Sequence, residues 1–194
     1  MRIDLANKIV NEAANPLRWR EVFESKPTND FETAYKFFYL NRTSFSGKLV
    51  SPAWGYREKR SLPPIRWKER IIPCGEYLKG VELKNEDFAP IISSLGKNAL
   101  IYVDPPYYTP PKNKHYRNGF SQADHERLAD CLKKTNSKFF LTYDDCRAIR
   151  ELYSWANINE VKFFYRVDNS SVLEGKRKLG FELIITNYNH KAKY

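Results

Sequence analysis

An apolar run at residues 99–103 ends in four residues whose types and order suit a binding site: Asp104, Pro105, Pro106 and Tyr107. The two prolines fix the backbone, and the carbonyl groups beside them have no neighbouring amide donors. The Asp104 carboxylate and the Pro105 carbonyl would therefore form a rigid pair of hydrogen-bond acceptors next to the Tyr107 ring. Such a group suits the amino substituent of a planar heterocycle, with the ring stacked on its face. The alternative is a rigid turn in which Asp104 caps a backbone amide.

The elements that must position this motif alternate between strand and helix patterns. Residues 99–103 predict a buried strand, and Ser121 precedes a helical pattern that continues to residue 134. Three more strand patterns follow: KFFLTY, VKFFYRV and FELIITNY. This alternation predicts an α/β fold with a largely parallel sheet.

A second acidic group is predicted at the end of a strand. A short strand is expected around residues 81–83, and it leads to Asp87 and Phe88. Ligands of such sheets lie outside the carboxyl ends of the strands. We therefore expect Asp87, Phe88 and the motif that begins at Asp104 to form one site.

Composition limits the classes of protein. The 194 residues are enough for one domain with a substantial core, and 42% hydrophobic and 29% charged residues are ordinary for a soluble globular protein. We find no apolar run that could span a membrane and no signal-peptide pattern, which favours the cytoplasm. Three cysteines without a CxxC pair and three histidines do not complete a zinc pattern, so no metal is predicted.

The charge pattern points to an anionic partner. The net charge is +10, and residues 41–70 contain eight Lys or Arg against two Glu. Phe45, Trp54, Tyr56 and Trp67 are interleaved with these bases. Cations for phosphates and flat rings for bases are typical of nucleic-acid surfaces. An aromatic core beneath a basic face would give the same string.

Several segments together resemble one family, the Dam-type adenine-N6 DNA methyltransferases. In order, they are FFYLNRTSFSG (37–47), VELKNEDF (81–88), DPPY (104–107), the basic pair Arg177-Lys178 and the final strand FELIITNY. The resemblance covers residues 37–190 and implies a Rossmann-like methyltransferase sheet in a single methyltransferase-like domain over residues 1–194. An inserted DNA target-recognition segment would occupy residues 41–75.

The resemblance also implies roles for the motif and a reaction. The family transfers a methyl group from S-adenosylmethionine to the N6 amine of an adenine flipped out of duplex DNA. Asp104 and the carbonyl of Pro105 would accept hydrogen bonds from that amine, Pro106 would hold the turn, and Tyr107 would stack on the base. Catalysis would consist mainly of positioning and electrostatics, without a metal.

Further roles follow from the same resemblance. Asp87 and Phe88 match the family's contact to the adenine of S-adenosylmethionine, and Asp4 weakly matches its ribose-binding acid. The residues assigned to DNA are Asn41, Arg42, Lys48, Tyr56, Arg57, Lys112, Lys114 and Arg117. Duplex DNA is the expected partner, in the setting of a restriction–modification system.

One family feature has no counterpart in this chain. Complete members carry an F-x-G-x-G loop that lets the cofactor approach the backbone, yet no two of the eight glycines here are separated by a single residue. The sheet is therefore expected to be truncated at its N-terminal side. The chain could be part of a split enzyme whose glycine loop lies on a second polypeptide, an inactive DNA-binding module, or an enzyme that binds S-adenosylmethionine weakly. A nuclease would need clustered acids, for which Asp144-Asp145 is the only candidate pair.

Overall fold

The computed structural model describes residues 2–108, 119–164 and 179–189, and it divides the chain into two compact units. The first unit covers residues 1–84 and the second covers residues 85–194. A single methyltransferase-like domain with a DNA-recognition insertion at 41–75 stays a prediction.

The first unit is helical in its described part. Its elements are α1 (Arg2–Ile9), α2 (Pro16–Glu24), α3 (Asp30–Thr43), two 3-10 turns (Phe45–Gly47 and Pro64–Arg66) and α4 (Lys68–Tyr77). Helix α2 begins where the Asn15 side chain accepts the backbone N–H of Arg18, with Pro16 in the first turn, where its missing N–H costs nothing. The buried core of the first unit consists of Leu5, Ile9, Val22, Tyr39, Leu40 and Trp67.

The second unit is a sheet with helices. Its elements are α5 (Phe88–Ser94), β1 (Leu100–Val103), α6 (Gln122–Lys134), β2 (Lys138–Asp144), α7 (Arg147–Leu152), β3 (Asn157–Phe164) and β4 (Leu179–Thr186). Ser121 caps α6 as predicted, and the Asp124 side chain returns a hydrogen bond to the Ser121 backbone to complete a capping box. Alternate residues of β2 and β4 form the centre of the buried core: Phe139, Leu141, Tyr143, Leu183 and Ile185.

The strand order is β1-β2-β4-β3, with β1 parallel to β2 and β4 antiparallel to both of its neighbours. The α/β class is confirmed, and a four-stranded mixed sheet is consistent with a methyltransferase fold. The expectation of a largely parallel sheet is wrong for the described strands, because two of the three pairings are antiparallel. A crossover helix is needed only between parallel neighbours, and the sequence between β3 and β4 carries no helical pattern.

The strand predicted at residues 81–83 is also wrong. The chain is irregular there, and Val81 and Leu83 are 51% and 71% exposed. A strand needs a hydrogen-bonded neighbour, and none of the described strands pairs with this segment. Asp87 and Phe88 therefore follow an irregular segment instead of a strand end.

Candidate active site

The Asp104 motif follows β1 directly, as the sequence predicts. Pro105 is buried, whereas Asp104 is exposed and Pro106 is half-buried. Thr142 of the neighbouring strand β2 donates its hydroxyl hydrogen bond to Asp104 Oδ1 at 2.9 Å. The carboxylate is thus held by one oxygen in an exposed position at the carboxyl end of the parallel pair β1-β2.

The Tyr107 ring is attached to the sheet through its hydroxyl group. Tyr107 Oη donates to Glu182 Oε1 at 2.8 Å, and Glu182 lies on β4 opposite Asp144 of β2. The ring is half-buried. A hydrogen bond at its far end restricts how the ring can turn, as a stacking platform requires.

The backbone after the motif is anchored by a buried acid. The backbone N–H of Tyr108 donates to Asp144 Oδ1 at 2.9 Å, and Asp144 is only 1% exposed. Next to it, His125 Nδ1 and the Tyr143 hydroxyl are 2.5 Å apart in the core. Burial lowers the pKa of His125, although the nearby charges of Asp144 and Asp124 oppose that shift. Burial thus favours the neutral form of the imidazole, whose ring centre lies 5.0 Å from that of Tyr108.

Asp87 is engaged by an arginine. Arg127 donates Nη1–H to Asp87 Oδ1 at 2.7 Å and Nη2–H to Oδ2 at 2.9 Å, and the Ala89 backbone N–H also donates to Oδ1, which caps α5. The Arg127 hydrogen bonds hold the pKa of Asp87 below its usual value. The Arg127 guanidinium carbon lies 4.2 Å from the centre of the Phe88 ring.

Aromatic contacts connect these two predicted parts of the site. The Phe88 ring centre is 5.9 Å from that of Phe120, Phe120 is 4.6 Å from His125, and His125 is 5.0 Å from Tyr108. The segment at Asp87 and the end of the motif therefore share one packed aromatic group.

Asp4 belongs to the other unit. It is an exposed residue in the first turn of α1. Its assignment to cofactor binding stays a prediction.

The predicted DNA-binding residues Asn41 and Arg42 lie in the last turn of α3. Asn41 Nδ2 donates to the carbonyl of Gly47 at 3.2 Å, and Gly47 has a φ of 66°. Asn41 therefore stabilises the turn that follows the helix, in a conformation that favours glycine. Arg42 and Lys48 are exposed around this turn.

Of the other predicted DNA-binding residues, two are described by the structure and three are not. Tyr56 is half-buried, with its ring 5.9 Å from that of Trp54, and burial raises the pKa of Tyr56. Arg57 is exposed. The remaining three lie outside the described residues: Lys112, Lys114 and Arg117.

The two acids considered for a nuclease, Asp144 and Asp145, are bound to other groups of the protein. Asp144 accepts from the Tyr108 backbone, and Asp145 forms an ion pair with Arg150 at 2.6 Å. Within residues 2–108, 119–164 and 179–189, no three His, Cys, Asp or Glu side chains are grouped as metal ligands would be. No helix of these ranges has the length and apolarity to cross a membrane.

Sequence reasoning missed the residues that hold the motif. Thr142, Asp144 and Glu182 all reach it from neighbouring strands. Thr142 lies near the end of the predicted strand KFFLTY and Asp144 directly follows it, and the carboxyl ends of parallel neighbours meet at one sheet edge. That rule could have identified them. Glu182 could be identified as a partner of the motif only if the antiparallel direction of β4 were known.

The geometry agrees with the comparison to known proteins. Residues 5–167 match the family model described as D12 class N6 adenine-specific DNA methyltransferase. The match covers most of the chain, which therefore belongs to this family.

Individual relatives are distant. The chain is 27% identical over 179 residues to the type II methyltransferase M1.LlaDCHI of Lactococcus lactis subsp. cremoris, which covers 84% of this chain and 61% of the relative. It is 28% identical over 176 residues to the type II methyltransferase M.CviBI of Paramecium bursaria Chlorella virus NC1A, covering 87% and 66%. A third relative is the DNA N-6-adenine-methyltransferase of Escherichia phage P1, at 26% identity over 69% of this chain and 19% of that protein. The chain thus spans about two thirds or less of the length of these relatives.

Proposed function

We propose that this chain provides the adenine-holding half of a DNA adenine-N6 methyltransferase. The observation that carries the proposal is the Asp104 carboxylate, which is exposed at the end of β1 with one oxygen held by Thr142. Its other oxygen and the Pro105 carbonyl are the acceptors for the two hydrogens of the adenine amine. Tyr107, anchored through Glu182, is the ring on which the flipped base stacks.

The chemistry assigned to these residues is to expose the lone pair of a poor nucleophile. The lone pair of the exocyclic amine is conjugated with the adenine ring, which makes the nitrogen unreactive. Two acceptors on its hydrogens favour a tetrahedral nitrogen whose lone pair is directed at the methyl donor. Preorganised acceptors contribute most when they do not move during the reaction, and the hydrogen bond from Thr142 serves that purpose.

The described residues fit S-adenosylmethionine only in part. This cofactor would supply the electrophilic methyl group, as the family implies. An ionised carboxylate has about four acceptor positions, and hydrogen bonds from Arg127 and Ala89 occupy three of those on Asp87. One face of Phe88 is covered by Arg127. The chain also contains no G-x-G sequence that could bring the cofactor close to the backbone.

We further propose that a second polypeptide carries the glycine loop. In the described part of the chain, the outer edge of β1 has no strand partner. Leu100 and Tyr102 on this strand are 64% and 66% exposed, so an apolar surface accompanies the open edge. An added strand and its helices would cover both. A coding segment for a strand followed by F-x-G-x-G beside this gene would support the idea.

The proposal for DNA places the recognition segment at residues 41–75. Arg42, Lys48 and Arg57 are exposed there and suited to phosphate groups. Tyr56 would stabilise the segment or contact a base, while Asn41 shapes the turn. A cytoplasmic site of action completes the proposal.

Two assays test the function. Calorimetry measures S-adenosylmethionine binding, and radiolabelled cofactor measures methyl transfer to duplex DNA, each with the chain alone and with the second polypeptide. We expect N6-methyladenine from the pair. If neither preparation binds the cofactor or methylates, yet salt-dependent DNA binding remains, the chain is a DNA-binding module without catalysis and the proposal is wrong.

Asp104→Ala tests the catalytic role. The variant should lose methyl transfer while its affinity for DNA stays unchanged, because the flipped base is the one part of the DNA that the carboxylate is proposed to contact. Asp130→Ala is the matched control, since Asp130 is an exposed acid on α6. An equal loss of methylation and DNA affinity in Asp104→Ala would contradict the assigned role.

A further inference from the structure

We propose that a cationic cleft in the first unit binds the sugar–phosphate backbone of duplex DNA. The cleft has a volume of about 550 Å³, and none of the described residues that line it is acidic. Its basic lining residues are Arg42, Lys59, Arg60, Arg66 and Arg70. The proposal rests on the proposed function in taking DNA as the substrate, and it assigns a binding role to four residues beyond Arg42.

The charges around the cleft are largely unbalanced. Arg66 is paired with Glu69, through Nη2–Oε2 and Nε–Oε1 contacts of 2.9 Å each. None of the carboxylates in the described part of the chain forms an ion pair with the other four cations. Like charges that line one concavity repel each other, and a bound polyanion relieves that repulsion.

The wall of the cleft is fixed by a buried tryptophan. Trp67 is fully buried, and its Nε1–H donates to the carbonyl of Leu62 in the lining at 2.7 Å. Its ring packs edge-on against Phe38 and Tyr39 of α3 at centroid distances of 5.9 and 5.8 Å. The loop that carries Lys59 and Arg60 is thus attached to the helix that carries Arg42. A preorganised cleft loses little entropy when a ligand binds.

The turn inside that loop is closed by hydrogen bonds of its own. The Arg57 carbonyl accepts from the backbone N–H groups of Arg60 and Ser61 at 2.9 and 2.7 Å, and Ser61 Oγ accepts from Arg57 N–H at 3.0 Å. These bonds fix the backbone from which two of the cations extend.

The spread of the cations along the chain favours a polymer over a small anion. Arg42 comes from α3, Lys59 and Arg60 from the following loop, and Arg66 and Arg70 from the second 3-10 turn and α4. A single phosphate ion would leave most of the cations without a contact. Consecutive phosphates of a DNA strand can contact several cations at once.

The test measures the affinity for a random-sequence 20-base-pair duplex between 50 and 300 mM salt. The variant is Lys59→Gln/Arg60→Gln, and the control is Lys133→Gln/Lys134→Gln on α6, which has the same net charge. Each lost phosphate contact lowers the slope of log K against log salt by about 0.9. We expect the slope to fall by about 1.8 in the cleft variant, with roughly 60-fold weaker binding at 0.1 M salt. The control should keep the slope of the unmodified chain.

The outcomes separate the cleft from the proposed function. If the unmodified chain does not bind duplex DNA, the proposed function itself fails. If it binds DNA and the cleft variant keeps the slope of the control, the cleft proposal is overturned while the proposed function stands. Arg70→Gln provides a second variant on a different element, with an expected change in slope of about 0.9. Unchanged melting temperatures show that the variants fold.

Two competitors identify the source of the phosphates. Inorganic phosphate at constant ionic strength should leave DNA binding unchanged, because one ion cannot contact all five cations at once. Displacement of the duplex by inorganic phosphate would show a small-anion site instead. An RNA duplex of the same sequence that binds more tightly, with the same dependence on Lys59 and Arg60, would also overturn the assignment to DNA.

Discussion

Replacement of Asp144 by alanine should loosen the backbone just after the motif that begins at Asp104. Asp144 is 1% exposed, and its Oδ1 accepts the Tyr108 N–H at 2.9 Å. Alanine cannot accept this bond, so the Tyr108 amide is left without it in a half-buried position. The neighbouring Asp145→Ala serves as a matched control, because the Asp145 carboxylate forms an ion pair with the exposed Arg150.

The magnitude follows from the type of hydrogen bond. A bond to a charged acceptor contributes about 1.5–3 kcal/mol, and a buried donor left unsatisfied costs about 1–3 kcal/mol. Because Tyr108 is only half-buried, we expect a loss of about 2 kcal/mol in the free energy of unfolding. An exposed ion pair contributes about 0–1 kcal/mol, so Asp145→Ala should cost less than half as much.

Amide hydrogen exchange and thermal melting measure the two effects. For a chain of this length, about 2 kcal/mol lowers the melting temperature by roughly 4–8 °C. The same energy accelerates exchange of the Tyr108 amide roughly 30-fold, since about 1.4 kcal/mol corresponds to a factor of ten. Equal effects of the two variants, or an unchanged Tyr108 exchange rate in Asp144→Ala, would refute this account of how the motif is anchored.

Three further predictions concern the same two units. Thr142→Val should lower the methyl-transfer rate of the assembled enzyme about tenfold without changing DNA affinity, because the hydroxyl donates a hydrogen bond to Asp104. Thr142→Ser should restore the rate. Failure of that rescue would argue against a role of Thr142 in positioning the Asp104 carboxylate. Burial lowers the pKa of His125, so the unfolded chain takes up a proton on this ring at a higher pH than the folded protein does. The free energy of unfolding should therefore fall as the pH drops below about 6.5. Urea unfolding midpoints should depend less on pH in His125→Gln. Gly55→Ala should destabilise the first unit by more than about 1 kcal/mol, because its Cβ would lie 2.3 Å from the Phe45 Cα atom. Gly96→Ala is the control, since a Cβ at Gly96 meets nothing within 4 Å. Similar melting temperatures for the two alanine variants would contradict this packing.

The sequence predicts those parts of the fold that depend on local patterns. A strand of apolar residues followed by Asp104 and two prolines has few alternatives, and the structure places β1 and the motif as expected. Ser121 before a helical pattern is a local helix-start signal, and it forms the expected cap. Asp87 and Phe88 come close to the motif through aromatic contacts, although no strand precedes them.

What the sequence could not predict depends on pairing between distant segments. The partners of the motif are Thr142, Asp144 and Glu182, whose positions require the order and direction of β2 and β4. The ion pair between Asp87 and Arg127 joins residues 40 positions apart, and no local pattern indicates it. The cationic cleft likewise depends on how the loop at Lys59 returns to α3.

The ion pair between Asp87 and Arg127 allows a test of whether Asp87 contacts the cofactor or only caps α5. A cofactor that hydrogen-bonds to Asp87 must share the carboxylate with Arg127 or displace it. Arg127→Gln should therefore change S-adenosylmethionine affinity in the assembled enzyme if Asp87 contacts the cofactor. Unchanged affinity would leave Asp87 with the structural role of capping α5.

Methyl transfer by the assembled pair tests the central claim most directly. Radiolabelled S-adenosylmethionine and duplex DNA are incubated with the second polypeptide and either the unmodified chain or Asp104→Ala, and the labelled nucleoside is identified. The account predicts N6-methyladenine with the unmodified chain and background label with Asp104→Ala, at equal DNA binding. Undiminished N6-methyladenine from the Asp104→Ala assembly would contradict it.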